Sequence, residues 1–138
     1  KTEKPAPQLV PNFDYKISHN SDIDNSVEKN LTNGAGVLYS IKIVNGNDAE
    51  VYVKISNAFT ATAGSTAPDW IFPCAASSTQ TYEIPGGLEF DALCVWATEN
   101  PTPSDNTAPS TSGNEVIAVT ILTKKGSSSS SSSSSNGY

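Results

Sequence analysis

Along the middle of the chain, apolar residues alternate with polar ones at a period of two in a series of short blocks, the pattern of strands with one buried face. Phe13, Tyr15 and Ile17 make a short first block, and Val37, Tyr39, Ile41 and Ile43 line one face of a longer one. Val51, Val53 and Ile55 follow after NGNDAE. Its Asn45-Gly46 pair suits the φ > 0 turn of a hairpin, so these two runs are expected to pair antiparallel. Further runs are Trp70 to Phe72, Thr79 to Ile84, Leu88 to Phe90, Ala92 to Thr98 and Glu115 to Thr123. In the last, Val116, Ala118, Thr120 and Leu122 share one face and Ile117, Val119 and Ile121 the other, which marks a central or doubly covered strand. Helical spacing is confined to Val27 and Leu31, enough for one turn. Seven or eight short strands separated by Gly, Pro, Asn and Ser predict an all-β fold, an antiparallel β-sandwich or jelly roll with extended N- and C-terminal arms.

The pattern also divides the chain. Residues 1–12 carry Pro5, Pro7 and Pro11 and are expected as an extended N-terminal arm. Residues 13–36 hold the short first strand and then a polar linker, 37–125 the β-sandwich domain, and 126–138 a Ser-rich tail that includes an unbroken run from Ser127 to Ser135. Pro85-Gly86-Gly87 is expected to give a tight change of direction. The stretch from Glu99 to Gly113 has no apolar anchor between Pro101 and Gly113 and is expected to project from the sandwich.

Charge and composition narrow the functional classes. Fourteen acidic residues against eight basic ones, all of them Lys, give a net charge of -6. Without Arg no bidentate phosphate clamp can be built, so nucleic-acid binding is not expected. No stretch approaches the roughly 20 apolar residues that cross a bilayer, so no membrane partner is expected. One His and two Cys are too few for a zinc centre of about four N or S ligands, and no metal or other cofactor is expected.

Individual candidates have plain explanations. Cys74 and Cys94 could be bridged, but Cys94 lies between Leu93 and Val95 and reads as a buried free thiol. Asp22, Asp24 and Asn25 lack the Gly and distant Glu of a calcium loop. Glu89 and Asp91 flank Phe90 and read as a solvent face rather than an acid-base pair. His19, at the edge of the polar linker, reads as a solvated loop residue. Asn30-Leu31-Thr32 matches the N-glycosylation pattern. Trp70, Trp96, Tyr39 and Tyr52 could form a sugar-stacking platform, although Trp96 alternates with Cys94 and looks like core. No catalytic residue is identified, and the chain is expected not to be an enzyme.

The succession LYSIKIVNGNDAEVYVKI, GSTAPDWIFP, SSTQTYEIPGGLEFDALCVWAT and EVIAVTILT, over roughly residues 35 to 123, resembles small β-rich virion structural proteins of tailed bacteriophages. The resemblance implies a non-enzymatic virion protein, a capsid decoration or cement protein on the outer capsid surface, with the major capsid protein or other virion proteins as partners. It also implies self-association, with a trimer common among such proteins. An acidic body without Arg suits a surface that avoids packaged genome. Leu9, Val10 and Phe13, the apolar residues of the N-terminal arm, and Tyr138, the one large group of the tail, are the expected partner-binding residues. The alternatives are a neck, tail or fibre component, or a secreted carbohydrate-binding or adhesive β-sandwich module.

Overall fold

The computed structural model of the chain describes residues 15–109 and 116–125. Within them seven strands run in the order β1 (Tyr15–Asn20), β2 (Gly36–Asn45), β3 (Val51–Asn57), β4 (Trp70–Cys74), β5 (Ser78–Phe90), β6 (Leu93–Thr98) and β7 (Ile117–Lys125). They form two antiparallel sheets: sheet A in the order β1-β7-β2-β5 and sheet B in the order β4-β3-β6. The two sheets face each other across one core. Leu38, Ile41 and Ile43 of β2 and Val119 and Ile121 of β7 meet Val53 and Ile55 of β3 and Val95 of β6, all fully buried. The molecule is an all-β sandwich, as the period-two alternation requires. β7 is the central strand expected, although only its Ile117, Val119 and Ile121 face is buried and its other face is half-exposed.

β2 and β3 do not form the expected hairpin, because they lie in different sheets. Among the described residues the glycines at positive φ are Gly34, Gly64, Gly86 and Gly87, and Gly46 is not one of them. The reason lies one residue earlier. Asn45 continues the inward-facing row of Ile41 and Ile43 and is 1% exposed. Its Nδ2 reaches the carbonyls of Ala49 (2.8 Å), Cys74 (3.2 Å) and Ala75 (3.1 Å), and its Oδ1 accepts the Asn47 amide at 2.9 Å. One side chain therefore ties together the β2–β3 and β4–β5 connections, both of which cross between the sheets. A buried amide needs such partners, and a two-residue hairpin turn would not supply them.

The longer face of β2 is also interrupted. Leu38 pairs with Leu88 and Ser40 with Glu83, so Tyr39 stands opposite the four residues Ile84 to Gly87. This bulge inverts the alternation: Leu38 is buried with Ile41 and Ile43, while Val37 and Tyr39 turn to the outer face. Pro85-Gly86-Gly87 consequently lies inside a continuous β5 instead of reversing the chain. Gly86 and Gly87 take φ of 85° and 78°, and a Cβ on Gly87 would run into the side chains of Val37 and Tyr39.

Two segments expected to lie off the body are part of it. β1 is the edge strand of sheet A, so the sandwich includes residues well before 37. The polar segment after it is a strap along the open edge of β6. Ala97 donates to Asp24, Glu28 and Val95 exchange backbone hydrogen bonds at 2.8 and 3.0 Å, and Leu31 donates to Leu93. Ile23 enters the core beside this strap at 2% exposure. In place of a helical turn, Asn30 and Asn33 adopt positive φ, and the Asn30 Oδ1 accepts the Gly34 amide. The loop after β6 folds back, with Glu99 donating to the Thr107 carbonyl and Pro109 buried.

Replacing Asn45 with Ala leaves several buried backbone groups without a partner. The expected loss is about 2–3 kcal/mol of stability. Urea unfolding of Asn45→Ala should show a lower midpoint with an unchanged slope, whereas a loss below about 0.5 kcal/mol, the scale of ordinary surface substitutions, would show that the crossover is held by other contacts.

Candidate functional site

Leu9, Val10, Phe13 and Tyr138 lie outside the described residues. The strands leading to them are described. β1 begins at Tyr15, β7 ends at Lys125, and Tyr15 pairs with Lys124, so both chain segments leave the sandwich at the same end of sheet A. On the outer face at that end, Ile17 is 70% exposed and Tyr15 52%. Leu122 pairs with Ile17, and Val37 with Lys124, on the same face. The rings of Tyr15 and Tyr39 are 6.0 Å apart, and the Lys124 ammonium lies 5.7 Å from the Tyr15 ring centre. Further along the face the lining turns polar. There His19 belongs to β1 rather than to a loop, and its Nδ1 lies 2.6 Å from the Thr120 Oγ1. The result is an exposed apolar and aromatic patch bordered by Lys124, at the point where the chain ends depart.

The outer face of sheet B is built differently. Register places Tyr52, Lys54 and Ser56 of β3 opposite Thr98, Trp96 and Cys94 of β6. Cys94, Trp96 and Ala61 form a second small core, with Val27 of the strap and Ala63 packed against it. Every residue of β6 is buried as a consequence. Lys54 is fully buried, and its ammonium donates to the carbonyls of Thr102 (2.5 Å) and Asp105 (3.2 Å). This contact holds the loop that was expected to project. Burial pushes the Lys54 pKa down from its ordinary value, and the nearby Asp105 opposes that shift. Asp105 itself is held below the usual carboxylate range, chiefly by the Thr107 hydroxyl that donates to it at 2.7 Å.

Where the strap, the loop after β3 and the loop after β6 converge, they leave an open cleft of about 340 Å³. Its rim carries Asn25, Lys29, Thr62 and Asn106, and its floor Val27, Ala61 and Ala63. The Asn25 Nδ2 donates to the Asn106 carbonyl at 2.8 Å, and Gly64, at φ 90°, packs against the Asn106 side chain. Of these rim residues only Asn25 stood out in the sequence, and as part of a calcium-loop candidate, because the rim comes from three separate polar segments with no shared pattern.

The other candidates are dispersed. Cys74 and Cys94 are free and buried, and they occupy opposite faces of sheet B, Cys74 in the main core and Cys94 in the smaller one. Burial pushes the Cys74 thiol up. Glu89 and Asp91 are exposed on either side of buried Phe90. The Asp24 Oδ1 accepts the Ser26 amide in a turn, and among the described residues no group of three His, Cys, Asp or Glu converges on a metal-sized site. The aromatic candidates do not share a surface: Trp70 packs against the main core, Trp96 lies in the smaller one, Tyr39 is on sheet A, and Tyr52 donates to Glu50 at 2.7 Å. A scan against family models, a search of curated proteins and a search of solved structures each return no match.

The Lys54 pKa direction sets a pH dependence. Folded Lys54 releases its proton at lower pH than unfolded Lys54, so the unfolded chain binds more protons just below the ordinary value of 10.5 and stability rises with pH there. The stability difference between wild type and Lys54→Met should be flat around neutrality and shift in favour of wild type as pH climbs toward that value. Urea midpoints measured across the range check this, and a shift toward Lys54→Met would contradict the burial of the ammonium.

Proposed function

We propose that the chain is a non-enzymatic structural protein of a phage virion, a decoration or cement protein that binds the outer capsid surface. The observation that carries this reading is the shared exit of both chain segments beside the exposed patch of Tyr15, Ile17 and Leu122. Fourteen residues precede Tyr15 and thirteen follow Lys125. An apolar patch flanked by two tethers gives three linked contacts on the major capsid protein. On a repetitive shell, individually modest contacts combine through effective concentration. Leu9, Val10, Phe13 and Tyr138 are the anchors of the two segments in this proposal, and the body self-associates, with a trimer matching the threefold positions of a shell.

The uneven treatment of the two outer faces supports the same reading. Sheet B is covered by its own loops, whereas sheet A presents apolar side chains outward, the arrangement expected of a face that meets a partner. A Cys74–Cys94 bridge and an exposed coplanar Trp/Tyr strip would favour the secreted-module alternative. The two thiols lie on opposite faces of sheet B, and the four aromatic residues are dispersed.

The test is co-sedimentation of the purified chain with capsids that lack it. The intact protein should bind saturably, and versions beginning at Phe13 or ending at Lys125 should bind at least roughly tenfold more weakly. Ile17→Asp, at a position 70% exposed, should weaken binding by a similar factor. Failure of the intact chain to bind would remove the capsid assignment and point to neck or tail complexes.

A further inference from the structure

We propose that the three-loop cleft on sheet B binds an acidic saccharide, recognising one carboxylate-bearing sugar residue such as a uronic acid. The cleft volume of about 340 Å³ accommodates a sugar ring, and its open side lets the rest of a polysaccharide continue outward. Val27, Ala61 and Ala63 offer a small apolar floor for the C–H face of a ring, and that floor rests on the Trp96 cluster. The rim then supplies what hydroxyl groups require. Asn25 has committed its Nδ2 to the Asn106 carbonyl, which leaves its Oδ1 as an acceptor. The Asn106 amide offers a donor and an acceptor and lies close to Gly64, and the Thr62 hydroxyl has no hydrogen-bond partner among the described residues.

Charge selects among sugars. The cleft lining contains one ionised side chain, Lys29, which is exposed and forms no ion pair among the described residues. On a chain of net charge -6, a lone cation with no acidic neighbour in the same lining marks where an anionic group is tolerated. A carboxylate on Lys29, with ring hydroxyls on Asn25, Asn106 and Thr62, uses every polar group of the rim. A shallow, open site implies weak binding per copy, and many copies on one particle would multiply it. The inference concerns the free chain and stands apart from the capsid assignment, so either can fail alone.

The experiment is an NMR titration of the full ¹⁵N-labelled chain with digalacturonate, with maltose and acetate as controls. Digalacturonate should shift amides at residues 25–29, 61–64 and 106 saturably in the millimolar range, maltose more weakly, and acetate without saturation. Lys29→Gln should weaken digalacturonate binding by roughly fivefold and abolish its advantage over maltose. Asn106→Ala should weaken both sugars. Shifts that acetate reproduces, shifts outside the cleft, or unchanged affinity in Lys29→Gln would each overturn the proposal.

Discussion

The Asn45 amide is the constraint on which the rest of the sandwich depends. Because β2 keeps its alternation from Ile41 to its last residue, this polar side chain is directed into the end of the core, where an unsatisfied amide costs several kcal/mol. It is satisfied only by bringing the carbonyls of Ala49, Cys74 and Ala75 around it. Those carbonyls lie at the last residue of β4 or in the two connections that leave one sheet for the other. Satisfying the amide therefore sends β3 into sheet B and β5 back into sheet A. A second contact locks the corner, since the Tyr82 hydroxyl donates to the Pro73 carbonyl and the Tyr82 and Phe72 rings lie 5.1 Å apart.

Once the sheets are placed, their outer faces follow different rules. β6 would be a sheet edge, and the strap from Asp24 to Leu31 pairs with it. That pairing brings Val27 over Trp96 and, with Lys54 fastening the loop after β6, closes a second small core. On the opposite side, β5 and β4 remain edges but are poor templates for further pairing: β4 carries Pro73, and β5 carries the Pro85-Gly86-Gly87 bulge with charged Glu83 and Glu89. The outer face of sheet A keeps its apolar residues in the open near the exit of the chain ends. One molecule thus has a covered face with a polar cleft and an open face that exposes apolar side chains.

The sequence disclosed the strands, the all-β class and the burial of Trp96 and Cys94, because these depend on alternation within a few residues. What it concealed depends on residues far apart. Asn45-Gly46 carries a strong local hairpin signal, and only the inward phase of Asn45 argues against it. Tyr39 shares the parity of Ile41, so the bulge that turns it outward was invisible without its partner β5. Residues 24–31 carry only the Val27 and Leu31 pair and residues 99–109 no period-two pattern; they are held by backbone pairing to β6 and by the buried ammonium of Lys54. The cleft is assembled from the same polar segments, which is why no motif announced it. The residues expected from the sequence to bind a partner fall outside the described residues, while Tyr15, Ile17 and Leu122 lie on an exposed face at the same end of sheet A.

Hydrogen–deuterium exchange of the full chain, free and bound to capsids, distinguishes the proposed contact through the open face of sheet A from one through the loop-covered face of sheet B. Contact through sheet A should add protection in β1, in β7 and in the first half of β2, with exchange at residues 24–31 and 99–109 unchanged. Protection confined to those two loop segments would overturn the proposed contact.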